Sequence, residues 1–130
     1  MRRIPYEIGH IEQIEPGEIE RGNPIISWAL MLPELNFAVS WEDETGLLGS
    51  VGSMSMNPIM CYAWLYLSDR MREMYPLSLF KDVKYAVEQE KQIMITHADD
   101  RFPEAARFLE RLGFIRAGSS VGYLQGYKRI

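Results

Sequence analysis

One stretch of ten residues, Ile59 to Ser68, constrains this chain more than any other. It reads as a β-strand with apolar side chains on both faces. Cys61, Ala63, Leu65 and Leu67 line one side, and Tyr62, Trp64 and Tyr66 the other. A strand alternates its side chains with period two, so a strand without a polar face must be covered on both sides. Such a strand lies near the middle of a sheet, with helices above and below it.

The segments before it supply neighbouring strands. Asn36 to Glu42 alternates Phe37, Val39 and Trp41 against Ala38, Ser40 and Glu42. Asp43-Glu44-Thr45-Gly46 reads as a turn, and Leu47 to Met56 as a second strand rich in small residues. Asn57-Pro58 is a further turn, so three strands form an antiparallel meander. Nearer the start, Arg2 to Ile8 reads as an edge strand tolerating Pro5. Gly9 to Glu15 reads as a short helix ended by Pro16-Gly17, and Glu18 to Asn23 as a charged loop. Pro24 to Leu32 is expected to be a helix capped by Asn23, with Ile25, Trp28, Ala29 and Leu32 on one face.

After the central strand, Asp69 to Glu90 has a helical period interrupted by Pro76. Its second part puts Leu79, Phe80, Val83, Ala86 and Val87 on one face. Gln92 to His97 is a short strand. Asp99-Asp100 is expected to cap the next helix, with Pro103 in its first turn. That helix turns Phe102, Ala105, Ala106, Leu109 and Leu112 inward, and Gly113 follows as a left-handed stop. Phe114 to Ala117 and Tyr123 to Ile130 are closing strands. The order is β-α-α-β-β-β-α-β-α-β-β over residues 1–130, one domain's length. A strand, helix, strand run implies a parallel pair within the sheet.

Net charge of −4 and a pI near 5.2 argue against a general nucleic-acid backbone binder. A lone cysteine, Cys61, cannot form an internal disulfide and reads as a core residue in a reducing compartment. Arg2 and Arg3 are not followed by an apolar run of signal-peptide type. The apolar stretch from Pro24 to Pro33 is too short for a bilayer. A cytoplasmic protein with no nucleic-acid or membrane partner is expected.

The segment Ala105-Ala106-Arg107-Phe108-Leu109-Glu110-Arg111-Leu112-Gly113-Phe114 is similar to the fourth-helix segment of the GCN5-related N-acetyltransferases (GNAT). Phe37 to Gly52, with its acidic turn and spaced glycines, resembles the same family's early hairpin. The resemblance implies an α/β (α+β) fold: a mixed, mainly antiparallel central sheet with a splayed parallel pair and helices on both faces. It implies acetyl-CoA as acyl donor, lying between the strands at Ile59–Ser68 and Gln92–His97. It implies direct attack on the thioester by an amine of a small-molecule or protein acceptor. Backbone groups of Tyr66, Leu67 and Ser68 would meet the pantetheine and carbonyl, and Arg70 and Arg72 the phosphates. Glu42 and Ser68 are the catalytic positions carried over, with Glu42 as base. Asp100 is carried over as a cofactor contact, from the asparagine that often precedes the last helix. The phosphate-loop glycines are absent from Ser68–Met74, and Leu109 stands where many members have a proton-donating tyrosine. These departures resemble GNAT-like proteins of tailed phages. That likeness implies the alternative of an inactive virion or host-interaction protein, associating as a homodimer or with a virion partner.

Several residues carry both a chemical and a plain reading. Glu42, Asp43 and Glu44 form either an exposed acidic turn or a site for a base. His97, beside Asp99 and Asp100, is either a base or a surface histidine at a helix start. Ser53 and Ser55 alternate on a strand near the expected cleft. Tyr62, Trp64 and Tyr66 fit a core better than a ligand wall. Two histidines and one cysteine show no zinc-ligand spacing.

Overall fold

The computed structural model describes residues 1–7, 9–21, 36–118, 120 and 122–130. The helix expected over Pro24–Leu32 lies outside the described residues. The elements are β1 (Arg2–Pro5), α1 (His10–Gln13), β2 (Phe37–Asp43), β3 (Gly46–Ser55), β4 (Met60–Leu67), α2 (Asp69–Met74), α3 (Pro76–Gln89), β5 (Ile93–Asp99), α4 (Pro103–Arg111), β6 (Ile115–Arg116) and β7 (Leu124–Arg129). Seven strands form one sheet in the order β1-β2-β3-β4-β5-β7-β6. The only parallel neighbours among the described strands are β4 and β5.

The two-faced strand is central, as its pattern requires. Cys61 and Leu67 join Trp41, Leu48, Val51, Met71, Leu79, Val83 and Val87 in the larger core. Tyr62 and Trp64 join Ile11 in a smaller core on the opposite face, with Tyr6, Tyr66 and Ile95 around it. Helices α2, α3 and α4 thus cover one face, and α1 the other. Two glycines let β3 lie close to β4. A Cβ on Gly52 would stand 2.5 Å from Cζ2 of Trp64, and one on Gly49 would stand 2.6 Å from Cδ2 of Leu67.

Pro76 splits the long helical pattern into α2 and α3, and it occupies the first turn of the second. At the end of α4, Gly113 takes φ 94°. The Gly113 amide donates to the Glu110 carbonyl and the Phe114 amide to that of Leu109. These two bonds are a Schellman stop, which satisfies carbonyls that the helix leaves open. The capping expectation for Asp99-Asp100 is corrected: the N-cap of α4 is Phe102, with no side-chain cap. Asp99 instead accepts from the Arg101 amide (2.9 Å) and guanidinium (2.7 Å), which turns the chain before the helix begins.

Candidate active site

The parallel pair is short. Register pairing joins Met60 to Ile93, Cys61 to Met94 and Tyr62 to Ile95, and then it stops. Two side-chain ties follow, from the Thr96 hydroxyl to the Ala63 carbonyl at 2.8 Å and between Tyr62 and His97. Beyond them β4 and β5 part. β4 continues in register with β3, and β5 with β7. The gap is a cleft of about 240 Å³ walled by residues of both strands and by α4. Leu65, Leu67, Leu79, Ala105, Phe108 and Leu109 make much of it apolar. This explains why the inward face of α4 is only half-buried: the cleft lies beneath it.

Among the polar groups that line this cleft are two side-chain pairs. Near its closed end, the Tyr62 hydroxyl lies 3.1 Å from Nδ1 of His97. Both residues line the cleft and their rings are 5.8 Å apart. Burial holds the His97 pKa below its ordinary 6.5, so the ring is neutral at pH 7. Burial also pushes the Tyr62 phenol well above 10, opposed by the Thr96 hydroxyl beside it. Toward the C-terminal end of β4, Arg72 faces Glu20. Nη1 and Nη2 of Arg72 donate one to each carboxylate oxygen of Glu20. The Glu20 side chain is 3% exposed and that of Arg72 26%. The turn that delivers Glu20 is pinned by the Gly17 amide, which donates to the Leu67 carbonyl at 2.9 Å.

The residues singled out from sequence are not all brought together. Leu67 and Arg72 line the cleft. Tyr66 is half-buried on the α1 face, its phenol pKa raised by burial and then by Glu20 and Glu15. Ser68 is a cap: its hydroxyl accepts from the Met71 amide at 3.2 Å and donates to the Leu48 carbonyl at 2.7 Å. Its amide donates to the same carbonyl at 2.8 Å, so neither donor is left for a thioester. Glu42 pairs with Arg2 on the edge strand, two strands away from the cleft. Arg70 donates to Asp43 (2.9 Å) and Glu44 (3.2 Å) of the β2–β3 turn. Asp43 also accepts from Thr45 and from Tyr75, and these bonds hold its carboxyl far below the usual carboxylate range. Asp100 pairs with Arg116 at 3.4 Å.

Ser53 is fully buried and Ser55 exposed, and Cys61 is a fully buried core residue. Sequence reasoning missed Glu20 and Thr96 altogether. Nothing in the period of residues 18–23 signals that a carboxylate turns inward to meet an arginine 52 positions on.

Among the described residues no group of three or more His, Cys, Asp or Glu could hold a metal ion. No described helix is long and apolar enough to cross a membrane.

A mixed sheet whose one parallel pair parts into a cleft is the GNAT fold, and solved structures share it. A mutant of the spermidine N-acetyltransferase SpeG from Vibrio cholerae matches with a TM-score of 0.65 at 12% identity, covering 100% of this chain and 95% of that one. A GNAT-superfamily phosphinothricin acetyltransferase from Sinorhizobium meliloti, in complex with AcCoA, matches with a TM-score of 0.62 at 15% identity, covering 98% and 86%. A ribosomal-protein-alanine N-acetyltransferase from Brucella melitensis matches with a TM-score of 0.53 at 14% identity, covering 72% and 68%. No family model and no curated protein sequence matches the chain.

Proposed function

We propose that the protein is an N-acetyltransferase that carries an acetyl group from acetyl-CoA to an amine. The observation that carries this reading is the parting of β4 and β5 after Tyr62 and Ile95. Past the Thr96 tie on Ala63, from Trp64 to Tyr66, the β5-facing edge of β4 has no strand partner, and an apolar cleft runs along it. An extended arm bearing amides can add to such an edge as a strand would. The pantetheine of CoA is an arm of that kind, and the apolar walls suit its methylenes. Acetyl-CoA, when bound, supplies a thioester carbonyl for the amine to attack. Holding amine and thioester together in one cleft replaces a rare encounter with a positioned one.

The anionic end fits less simply. Arg72 is the arginine that lines the cleft, and Glu20 already occupies it. A phosphate reaching Arg72 must share it with that carboxylate or displace it. Arg70 is engaged by Asp43 and Glu44, which leaves Arg72 as the better phosphate partner.

Calorimetric titration with acetyl-CoA and with CoA tests the reading. Micromolar binding is expected, weakened about tenfold or more in Arg72→Gln, the scale of one lost charge-assisted contact. Absence of binding at millimolar acetyl-CoA would refute it.

A further inference from the structure

We propose that His97 is the proton acceptor for the incoming amine, with Tyr62 as the residue that sets its tautomer. The inference rests on the acetyltransfer reading above. The two side chains come from the two strands that part: His97 is two positions past the last paired residue on β5, and Tyr62 is the last paired residue on β4. They share the face of the sheet that carries α1, as Ile95 and Trp64 do, while Ala63, Leu65 and Leu67 belong to the helix-covered face. Both also line the cleft, so the pair stands where the register pairing ends and the strands begin to part.

The pairing has a chemical consequence. When His97 donates its Nδ1–H to the phenol oxygen of Tyr62, Nε2 keeps its lone pair. Tyr62 remains a phenol and His97 remains neutral at pH 7, so the ring can accept a proton there. Several charged groups lie on the surrounding elements. Asp99 is paired with Arg101, and Glu20 with Arg72. Glu104 lines the cleft from α4, and Lys128 of β7 stands opposite Ile95 on the His97 face.

The step balances on one residue. The amine nitrogen bonds to the thioester carbon and gives a proton to Nε2. The carbon–sulfur bond then breaks, and the imidazolium returns that proton to the departing thiolate. The Nδ1–H contact to Tyr62 is kept throughout. This replaces the proton donor that Leu109 cannot be, although Leu109 lines the same cleft.

The test uses the intact protein with acetyl-CoA, and with simple primary amines and spermidine as probe acceptors. Thiol release and calorimetry are followed in parallel. His97→Gln is expected to lower turnover about 100-fold, within the span of general acid–base effects, and to leave acetyl-CoA affinity within twofold. Tyr62→Phe removes only the hydroxyl. It is expected to lower turnover about tenfold and to move the acidic limb of the pH profile, which a purely structural role would not do. Imidazole ¹⁵N shifts of wild type should report an Nδ1–H tautomer that is lost in Tyr62→Phe. Binding of acetyl-CoA without turnover, or turnover and pH profile unchanged in His97→Gln, would overturn the proposal and leave acetyl-CoA binding standing. Loss of acetyl-CoA binding by wild type would remove the acetyltransfer reading itself, and this proposal with it.

Discussion

Replacing Glu20 with glutamine should make the protein less stable and a better binder at once. Glu20 and Arg72 form a bidentate pair, with the carboxylate buried and the guanidinium about three-quarters covered. Two unit charges about 4 Å apart at an effective dielectric near 20 attract by about 4 kcal/mol. Desolvation takes back much of that, so the net loss on removing one charge lies between the surface and buried limits, about 2 kcal/mol. Glutamine keeps the shape and one acceptor, which should hold the backbone turn anchored by the Gly17 amide on Leu67. The Arg72 charge is then free for an anion. If about two-thirds of the lost pair energy is recovered by a phosphate, acetyl-CoA affinity rises about tenfold, equivalent to about 1.4 kcal/mol. Urea unfolding gives the first quantity and calorimetry the second, both at one fixed ionic strength because screening affects each. Stability down with affinity up is the expected signature. Affinity unchanged or reduced would refute the reasoning, because Arg72 would then not be the residue for which the carboxylate and the cofactor compete.

Two further outcomes follow from other parts of the molecule. Asp43 has its pKa depressed in the folded state, first by the Thr45 hydroxyl bond and also by Arg70 and Tyr75. Its contribution is therefore fully present above the ordinary value of 3.8 and is lost as pH falls through the depressed folded value. Asp43→Asn should flatten the acid side of a stability–pH curve measured by urea unfolding, while wild type declines below pH 4. Gly52→Ala puts a Cβ 2.5 Å from the Trp64 ring and 3.1 Å from the Phe37 carbonyl. The indole must shift in a filled core, so a loss of about 1–3 kcal/mol is expected, with a changed near-ultraviolet circular dichroism signal from the displaced ring.

Much of the architecture was legible because it rests on local rules. The two-faced run at 60–67 could only be central, and Gly113 could only be a left-handed stop. Pro76 broke the helical period where it stands. The inward face of α4 was readable as a stripe, although the stripe lines a cleft and is not sealed in a core. What escaped the sequence depended on pairings between distant residues. Asp99 has the chemistry of a helix cap but reaches Arg101 first, because a side chain two residues away costs less to order than a helix start. Arg70 and Arg72 look alike in sequence. One helical offset sends the first to the β2–β3 turn and the second into the cleft. Tyr62 and His97 each read most simply as packing or surface residues, and only the place where two strands separate brings them together.

The brevity of the parallel pairing has a mechanical consequence. The sheet is two plates, β1 to β4 and β5 to β6, joined along one seam by three register pairs, the Thr96 tie and the Tyr62–His97 contact. On the far plate, six pairs fix β5 to β7. Bending between the two plates concentrates at the seam that joins them, at Tyr62 and Ile95. A rotation of a few degrees there changes the width at the mouth, at the level of Leu67 and Asp99, far more than it changes the distance between Tyr62 and His97. The cleft can thus adjust its grip on a long ligand while its closed end keeps one geometry.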